Sequence, residues 1–389
     1  MRNAEVFAPE RLGATDVLLA GQTIAAIGDL SAAAALADVT TVDVSGRTLV
    51  PGLIDGHLHQ IGGCGLQGYS SRAPELWAGE LALAGITTSV ATPGIETFTK
   101  NMDAVLAKAY ALEQDGLSTY AFLGGFRKPF LTLTGSIRRD LYLIEKLIGI
   151  KVALGDAVAS RFSNEELIDL AAELEWSSRA TGKACIMHAH LGSLPDPAAQ
   201  LLHTIKHAMA APERFQATHG NNTEETLAAA VQLTKAGCVV DLNPLLDPLR
   251  GQVGSIGTRH AVPRLLAAGV ELSMLTMSTD GNANTPVLQR DGSRGPYIKN
   301  LGTLWEGTVE LVREADLKLE DALSLVTTNP ARVLRLEERK GRIAVGLDAD
   351  LLVLDDDLQI QDVYSKGRLL VHGRQPLVAS MYEHHDDEY

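Results

Sequence analysis

The sequence predicts an α/β fold, a (β/α)8 barrel accompanied by a small discontinuous β-sandwich domain built from both chain ends. Short β-type runs alternate with longer helical segments through the middle of the chain, and both ends show strand-like alternation of apolar and polar residues. A chain of 389 residues is long enough for two domains. We expect the sandwich in residues 1–50 plus 335–389 and the barrel in residues 51–334.

The barrel prediction depends on eight β-type runs and on the helical segments between them. In chain order the runs lie at 53–60, 85–91, 118–126, 149–156, 184–190, 215–220, 237–243 and 271–281. One helical segment has Ser163 or Asn164 as its N-cap and Gly182 past its end, and Thr223 and Gly237 flank another. Eight strands separated by helices favour a parallel sheet closed into a barrel.

Composition and charge narrow the class of protein. The chain is 46% hydrophobic and 21% charged, which is typical of a globular domain, and its net charge is 34 − 48 = −14. This acidic balance argues against nucleic-acid binding and against docking on anionic membranes. No apolar run approaches the ~20 residues of a membrane span, and charges interrupt the N-terminal segment, so neither anchor nor signal peptide is expected. Three widely spaced cysteines indicate a reducing compartment, so we expect a cytoplasmic protein.

The residues that carry chemistry fall near the ends of the predicted strands, where barrels of this type place their reactive groups. The first run ends in His57 and His59, which point to one face of a strand and form a chelate for a metal such as zinc. Later runs contribute, in order, Lys151, one of His188 and His190, His219 and Asp280. Each residue alone also fits a structural role, such as a hydrogen-bonded loop histidine or a turn aspartate. Their joint order on different strands favours a metal centre.

Lys151 belongs to this set only if its amine is modified. An ammonium repels cations, whereas the carbamate formed with CO₂ is an anionic ligand that can bridge two divalent metals. Four histidines, one carbamate and one carboxylate then suit two zinc ions with a bridging hydroxide between them. That hydroxide is a nucleophile at neutral pH, and Asp280 can act as general base and then as general acid toward the leaving amine. The set therefore predicts amide hydrolysis.

The same residues resemble a known superfamily. The order of the His-x-His pair, lysine, two histidines and aspartate, with PGLIDGHLHQ at 51–60 and GLDADLLVLD at 346–355, resembles the amidohydrolase superfamily. VPGLIDGHLHQIGGCG, LTGSIRRDLYLIEKLIGIKVALGD, THGNN and STDGN look more closely like the β-aspartyl (isoaspartyl) dipeptidases, and this resemblance covers nearly the whole chain. It implies a small-molecule amide substrate, two divalent metal ions, most often Zn²⁺, and a homo-oligomer.

The resemblance also assigns roles to single residues. The matching metal ligands are His57, His59, the carbamylated bridging Lys151, His190 and His219, with Asp280 as the catalytic aspartate. His190 matches the strand-5 ligand better than His188, which is left as either a partner of the ligands or a packed side chain.

The positions that would hold a dipeptide depart from the family pattern. Leu66 stands where the dipeptidases have a glutamate for the α-ammonium, and Phe126 stands in place of a tyrosine that polarises the carbonyl. Val158 and Asn222 replace two arginines that hold carboxylates. Burying a dipeptide's charges without partners costs several kcal/mol, so these changes predict a less charged substrate.

We take Leu66, Phe126, Arg127, Val158, Asn222 and Asn284 as the candidate substrate-binding set. Arg127, Lys128 or Arg161 would restore a cation if a loop shifted. The leading interpretation is a binuclear-zinc amidohydrolase that cleaves an amide in a small molecule such as a modified dipeptide, an N-acyl amino acid or a cyclic amide. A cyclic amidase or lactonase of the same superfamily is the alternative, and a non-catalytic barrel module is a third interpretation.

Overall fold

The computed structural model describes residues 1–36, 38–66, 68–192, 195–283, 286–288, 294–297 and 300–379, and Asn284 lies outside them. Its strands are β1 (Ala4–Phe7), β2 (Arg11–Ala20), β3 (Thr23–Gly28), β4 (Thr48–Pro51), β5 (Leu53–Leu58), β6 (Ile86–Ala91), β7 (Ser118–Gly125), β8 (Leu147–Leu154), β9 (Ile186–Leu191), β10 (Phe215–Thr218), β11 (Val239–Leu242), β12 (Leu275–Met277), β13 (Pro286–Leu288), β14 (Arg294–Tyr297), β15 (Leu351–Leu354), β16 (Ile360–Ser365), β17 (Arg368–His372) and β18 (Gln375–Pro376). Its α-helices are α1 (Ala78–Leu83), α2 (Met102–Gln114), α3 (Ile137–Leu143), α4 (Asn164–Thr181), α5 (Ala199–His207), α6 (Glu224–Lys235), α7 (Thr258–Ala267), α8 (Thr303–Glu314), α9 (Leu319–Ser324) and α10 (Thr328–Val333).

The eight central strands confirm the predicted barrel. Strands β5 to β12 pair in sequential order, and each pair is parallel. The first strand meets the chain just after the last one, because Leu58 bridges Gly281 and the Asp280 N–H donates to the His57 carbonyl at 3.0 Å. The His59 N–H donates to the Gly281 carbonyl at 2.8 Å. This closure brings the His-x-His pair and Asp280 to one edge of the barrel.

The helix caps form as the sequence predicts. Helix α4 begins after Ser163, whose Oγ accepts the Glu166 N–H at 3.1 Å while the Glu166 carboxylate accepts the Ser163 N–H at 2.7 Å. The helix ends at Gly182, whose φ of 77° is the left-handed conformation that glycine adopts readily. Helix α6 begins after Thr223, whose side chain accepts the Thr226 N–H. Satisfied end groups hold both helices at their predicted lengths.

The two chain ends form a second sheet, separate from the barrel. Its strand order is β18-β17-β16-β15-β4-β1-β2-β3, a mixed sheet in which β1 and β4 are parallel and β4 pairs antiparallel with β15. Val6, Ile24, Leu49 and Leu351 are buried in one cluster, so strands from both ends share an apolar core. The fold class predicted from the sequence is therefore confirmed, while the boundaries at residues 50 and 335 stay a prediction.

Two further features bear on the class of protein. Each helix in the described ranges is too short or too polar to cross a lipid bilayer. The three cysteines, Cys64, Cys185 and Cys238, all lie within the described ranges as buried free thiols.

A buried ion-pair cluster links the end of the barrel to the second sheet. Lys340 is 2% exposed, and its Nζ lies 2.8 Å from an Asp348 carboxylate oxygen and 2.6 Å from one of Asp350. We expect K340M to lower the free energy of unfolding by about 3–5 kcal/mol, because it leaves the buried Asp350 carboxylate without its cation, whereas Asp348 keeps its pair with Arg339 at 3.0 Å. Urea denaturation measures this value. R342M, which removes an exposed pair with Glu10, is the control and should cost about 0–1 kcal/mol. A K340M value within about 1 kcal/mol of wild type would contradict the prediction.

Candidate active site

Six predicted residues converge at the carboxyl edge of the barrel. His57 and His190 lie within β5 and β9, and Lys151 lies within β8. His59 and His219 directly follow β5 and β10, and Asp280 lies three residues after β12. The closest approaches are His57 Nε2 to Asp280 Oδ1 at 3.1 Å, His59 Nε2 to the same oxygen at 3.0 Å, His219 Nε2 to Asp280 Oδ2 at 4.0 Å and Lys151 Nζ to His57 Nε2 at 2.8 Å. The His190 and His219 rings lie 4.6 Å apart between centroids. The pairwise spacing suits side chains that share metal ions.

Two of these residues have unusual backbone conformations. His219 has φ of 67° and Asp280 has φ of 50°, both in the left-handed region that few non-glycine residues occupy. Such conformations persist where the surrounding structure enforces them and are common at functional sites. Here they turn each chain sharply at the strand end, so that both side chains point toward the shared centre.

The contacts of His59 test whether a metal fits this centre. Its Nδ1 lies 2.8 Å from the Thr92 carbonyl oxygen, which only accepts, so Nδ1 carries the hydrogen. In a neutral imidazole Nε2 is then a lone pair, yet it faces the Asp280 carboxylate at 3.0 Å. Two acceptors at this distance need either a proton or a metal ion between them. The ligand atoms of His57, His59 and Asp280 all lie within 4.8 Å of one another, so one divalent ion would satisfy all three.

The electrostatics of the histidines favour metal binding. Burial lowers the pKa of His57, and the nearby Lys151 acts in the same direction. Burial likewise lowers the pKa of His190 and His219. Neutral imidazole is the form that coordinates metals, so these side chains are ready to bind without first losing a proton.

Lys151 is the most unusual member of the site. It is 1% exposed, and burial lowers its pKa to about 7. A lysine with this pKa is substantially a neutral amine at neutral pH, and the neutral amine is the form that attacks CO₂. The site therefore has the chemistry needed for N-carboxylation of Lys151, which would turn a group that repels metals into one that binds them.

A cavity of about 270 Å³ opens onto this centre. One end is formed by His57, His59, Lys151, His190 and Asp280. The apolar side chains along its wall are Leu66, Ile95, Phe126, Val158 and Ala283. Leu66 is 48% exposed and Val158 is 47% exposed, whereas Phe126 is buried. Three predicted substrate residues thus face the site.

The other predicted substrate residues do not line this cavity. The Arg127 Nε donates to Thr97 Oγ1 at 2.6 Å, and its guanidinium lies over the Phe98 ring. Asn222 is not among the lining residues, although its N–H donates to the His219 carbonyl. Asn284 lies outside the described residues. Of the alternative cations, Lys128 pairs with Glu166 at 2.7 Å, and Arg161 lines a neighbouring cavity of about 280 Å³.

The structure adds two residues that sequence reasoning missed or left open. Asp156 lines the cavity with Oδ2 3.4 Å from His190 Nε2, and hydrogen bonding from His190 lowers its pKa. A lone carboxylate directly after the strand that bears Lys151 was the available signal. His188 lies behind the centre, where its Nε2 is 3.1 Å from His57 Nδ1. It contacts a candidate ligand without facing the cavity.

Fold and site together define a class of protein, the barrel enzymes that gather metal ligands at the carboxyl ends of their strands for hydrolysis. The model of the amidohydrolase family matches residues 48–370. The chain belongs to this amidohydrolase family.

Relatives within the family have several activities. A β-aspartyl dipeptidase from Fervidobacterium islandicum AW-1 is 31% identical, with 96% of this chain and 97% of that chain covered and a TM-score of 0.87. An L-hydantoinase from Paenarthrobacter aurescens is 24% identical over 95% of this chain and 88% of that protein. An N-acetylglucosamine-6-phosphate deacetylase from Bos taurus is 28% identical over 66% of this chain, which spans 57% of that protein's length. The predicted enzyme class, a hydrolase of C–N bonds, is confirmed at the level of the family.

Proposed function

We propose that this chain is a binuclear, zinc-dependent amidohydrolase that cleaves an amide bond in a small molecule with an apolar, uncharged group beside that bond. The proposed substrate class rests on the residues that line the cavity. The apolar part of the cavity wall consists of Leu66, Ile95, Phe126, Val158 and Ala283, and the Asp156 carboxylate lies beside it. Among the described lining residues, Lys151 at the centre is the single lysine or arginine. A substrate carboxylate placed against this wall would lose its hydration without gaining a partner, at a cost of several kcal/mol.

The proposed metal ligands form two histidine pairs, one for each of two ions. His57 and His59 would hold one ion, His190 and His219 the other, and a carboxylated Lys151 would lie between them. Bound divalent ions supply a Lewis acid for the scissile carbonyl and an activated water. Proton transfer is carried out by a side chain of the protein itself. The Asp280 carboxylate lies beside His57 and His59. It accepts the proton of the attacking water and donates it to the leaving nitrogen.

A cyclic amide is the second candidate substrate. The match to an L-hydantoinase extends over 95% of this chain, and a hydantoin presents an uncharged ring of the size that a small apolar cavity accepts. The chemistry at Asp280 is the same for both substrates, so the assay has to separate them. A homo-oligomeric assembly and a cytoplasmic location are further proposals, and light scattering after gel filtration tests the first.

A substrate panel tests the proposal directly. Protein reconstituted with zinc and bicarbonate is assayed with acetanilide, a 5-substituted hydantoin, a lactone and β-Asp-Leu. We expect kcat/KM for the neutral aromatic amide or the hydantoin to exceed that for β-Asp-Leu by about 10²-fold, the equivalent of one unpaired buried charge. Turnover of β-Asp-Leu with ordinary efficiency, and none of the neutral compounds, would reject the substrate class. Wild-type protein that binds no zinc would instead favour the non-catalytic module.

A charge placed on the cavity wall should change the substrate preference. We expect V158R to raise kcat/KM for β-Asp-Leu about tenfold and to lower it for acetanilide, because a guanidinium gains about 1.5 kcal/mol from a carboxylate and crowds an apolar ring. V345R makes the same change at an exposed position outside the cavity and should leave both values unchanged. Equal effects of the two variants on the ratio of the substrates would contradict the assignment of Val158.

A further inference from the structure

A chain of buried polar side chains lies behind His57, on the side away from the cavity. It passes through His188 on β9, Gln216 on β10 and Thr276 on β12, and it ends at Asp241 on β11. The register of the parallel strands places His188 opposite Gln216 and Asp241 opposite Thr276. All four are buried, so their hydrogen bonds cannot be exchanged freely with water.

The direction of these hydrogen bonds follows from Asp241. A carboxylate accepts hydrogen bonds, and Thr276 Oγ1 lies 2.7 Å from Asp241 Oδ1, so the Thr276 hydroxyl donates its single hydrogen there. Toward Gln216, Thr276 Oγ1 therefore acts as the acceptor. Gln216 must face it with the amide nitrogen, and the Nε2 to Oγ1 distance is 3.0 Å. This leaves the Gln216 carbonyl oxygen facing His188.

The orientation of Gln216 determines which ring nitrogens of His188 and His57 carry hydrogen. Gln216 Oε1 lies 2.9 Å from His188 Nδ1, so His188 carries its hydrogen on Nδ1 and has a lone pair on Nε2. That lone pair lies 3.1 Å from His57 Nδ1, which therefore carries the hydrogen of the His57 ring. His57 Nε2 is left as a lone pair directed at Lys151 and Asp280.

A second hydrogen-bonded path, through Thr218, also places the hydrogen of His57 on Nδ1. Thr218 Oγ1 lies 2.8 Å from Asp241 Oδ2 and donates to it, so toward His57 Nδ1, 3.3 Å away, it can only accept. His57, His188 and Asp241 also approach closely enough to suggest a separate metal site. A metal there would take the Nδ1 lone pair of His57 and leave its hydrogen on Nε2, facing the Lys151 amine and the other ligands. The hydrogen-bonded arrangement gives each contact from Thr276 through Gln216 and His188 to His57 Nδ1 one donor and one acceptor, and it leaves the His57 Nε2 lone pair for the proposed metal.

We infer that Asp241, Gln216 and His188 are positioning residues that hold His57 in the tautomer with hydrogen on Nδ1, so that Nε2 stays free for the metal. The inference rests on the proposed metal-dependent function. It extends control of the centre to Asp241, which does not line the cavity.

Two substitutions at one position test this inference. Q216M keeps the size of the side chain but removes the acceptor for His188 Nδ1. His188 can then carry its hydrogen on Nε2, which would move the hydrogen of His57 from Nδ1 to Nε2. Q216E keeps an acceptor for His188, and a protonated carboxyl would also donate to Thr276. We expect Q216M to weaken zinc binding about 10- to 100-fold and Q216E to retain most of the affinity. T308V removes a buried hydroxyl in α8 and serves as the control.

Two measurements read the outcome without an activity assay. Competition with a chromophoric chelator measures the zinc dissociation constant of each folded variant. Nitrogen-15 spectra of histidine-labelled, metal-free protein report which ring nitrogen of His57 carries hydrogen, with H57Q identifying its signals. Hydrogen on His57 Nδ1 in wild type and on Nε2 in Q216M supports the inference. Hydrogen on Nε2 in wild type, or equal zinc affinities of Q216M and T308V, overturns it. Zinc binding with the expected tautomer but no amide hydrolysis would reject only the proposed function.

Discussion

Replacing Asp280 with asparagine is expected to lower kcat/KM about 10³-fold while most of the bound metal is retained. The carboxylate is the group next to both His57 and His59 that can accept a proton from water and return it to the leaving nitrogen. An amide of the same shape keeps an oxygen near the metals but cannot carry the proton. Loss of a general acid–base group costs about 10²- to 10⁴-fold in rate. Steady-state kinetics with the best substrate of the panel, together with metal analysis, measures the effect.

D156N is the matched control for D280N. Asp156 is a carboxylate in the same cavity, but it lies beside His190 Nε2 rather than beside His57 and His59, so its loss should cost about tenfold through altered ligand geometry. The ratio between the two variants distinguishes proton transfer from a general loss of negative charge. D280N activity above a tenth of wild type, with the metals still bound, would exclude Asp280 as the proton carrier.

The elements that could be predicted from sequence are those whose signals are local. Each barrel strand is a short apolar run bounded by turn residues, and Ser163 with Gly182 marks both ends of α4. The pair His57 and His59 was recognisable because residues i and i+2 share one face of a strand. Burial patterns, hydrogen bonds at helix caps and strand periodicity each depend on residues that are close together in the chain. They can therefore be recognised from the sequence alone.

The parts that could not be predicted depend on strand register and loop path. Gln216 and Asp241 are ordinary polar residues in sequence, and only the pairing of β9 with β10 and of β10 with β11 places them behind His57. Arg127 follows β7 and is close to the site in sequence, yet it is held by Thr97 and Phe98 outside the cavity. In both examples the position of the side chain is determined by partners that are distant in the sequence.

Replacing Lys151 with methionine is expected to reduce bound zinc from two ions per chain to one or fewer and to lower kcat/KM by about 10³-fold or more. Methionine fills the same space but has no amine to react with CO₂. The buried site would then lack the anionic ligand that we propose between the two histidine pairs. A metal that polarises the carbonyl contributes several kcal/mol, and each 1.36 kcal/mol corresponds to tenfold in rate. Elemental analysis and kinetics on the same sample measure both quantities.

K146M separates this role from the general cost of losing a buried lysine. Lys146 is 5% exposed and pairs with Glu113 just before β8, so its substitution should destabilise the fold without changing zinc content. Because burial lowers the pKa of Lys151 to about 7, its amine should react with bicarbonate-derived CO₂ near neutral pH. Wild-type protein reconstituted with zinc and ¹³C-bicarbonate should therefore show a carbamate signal that K151M lacks and K146M keeps. Two tightly bound zinc ions in K151M, or full wild-type activity after reconstitution without CO₂, would show that the centre is assembled without this ligand.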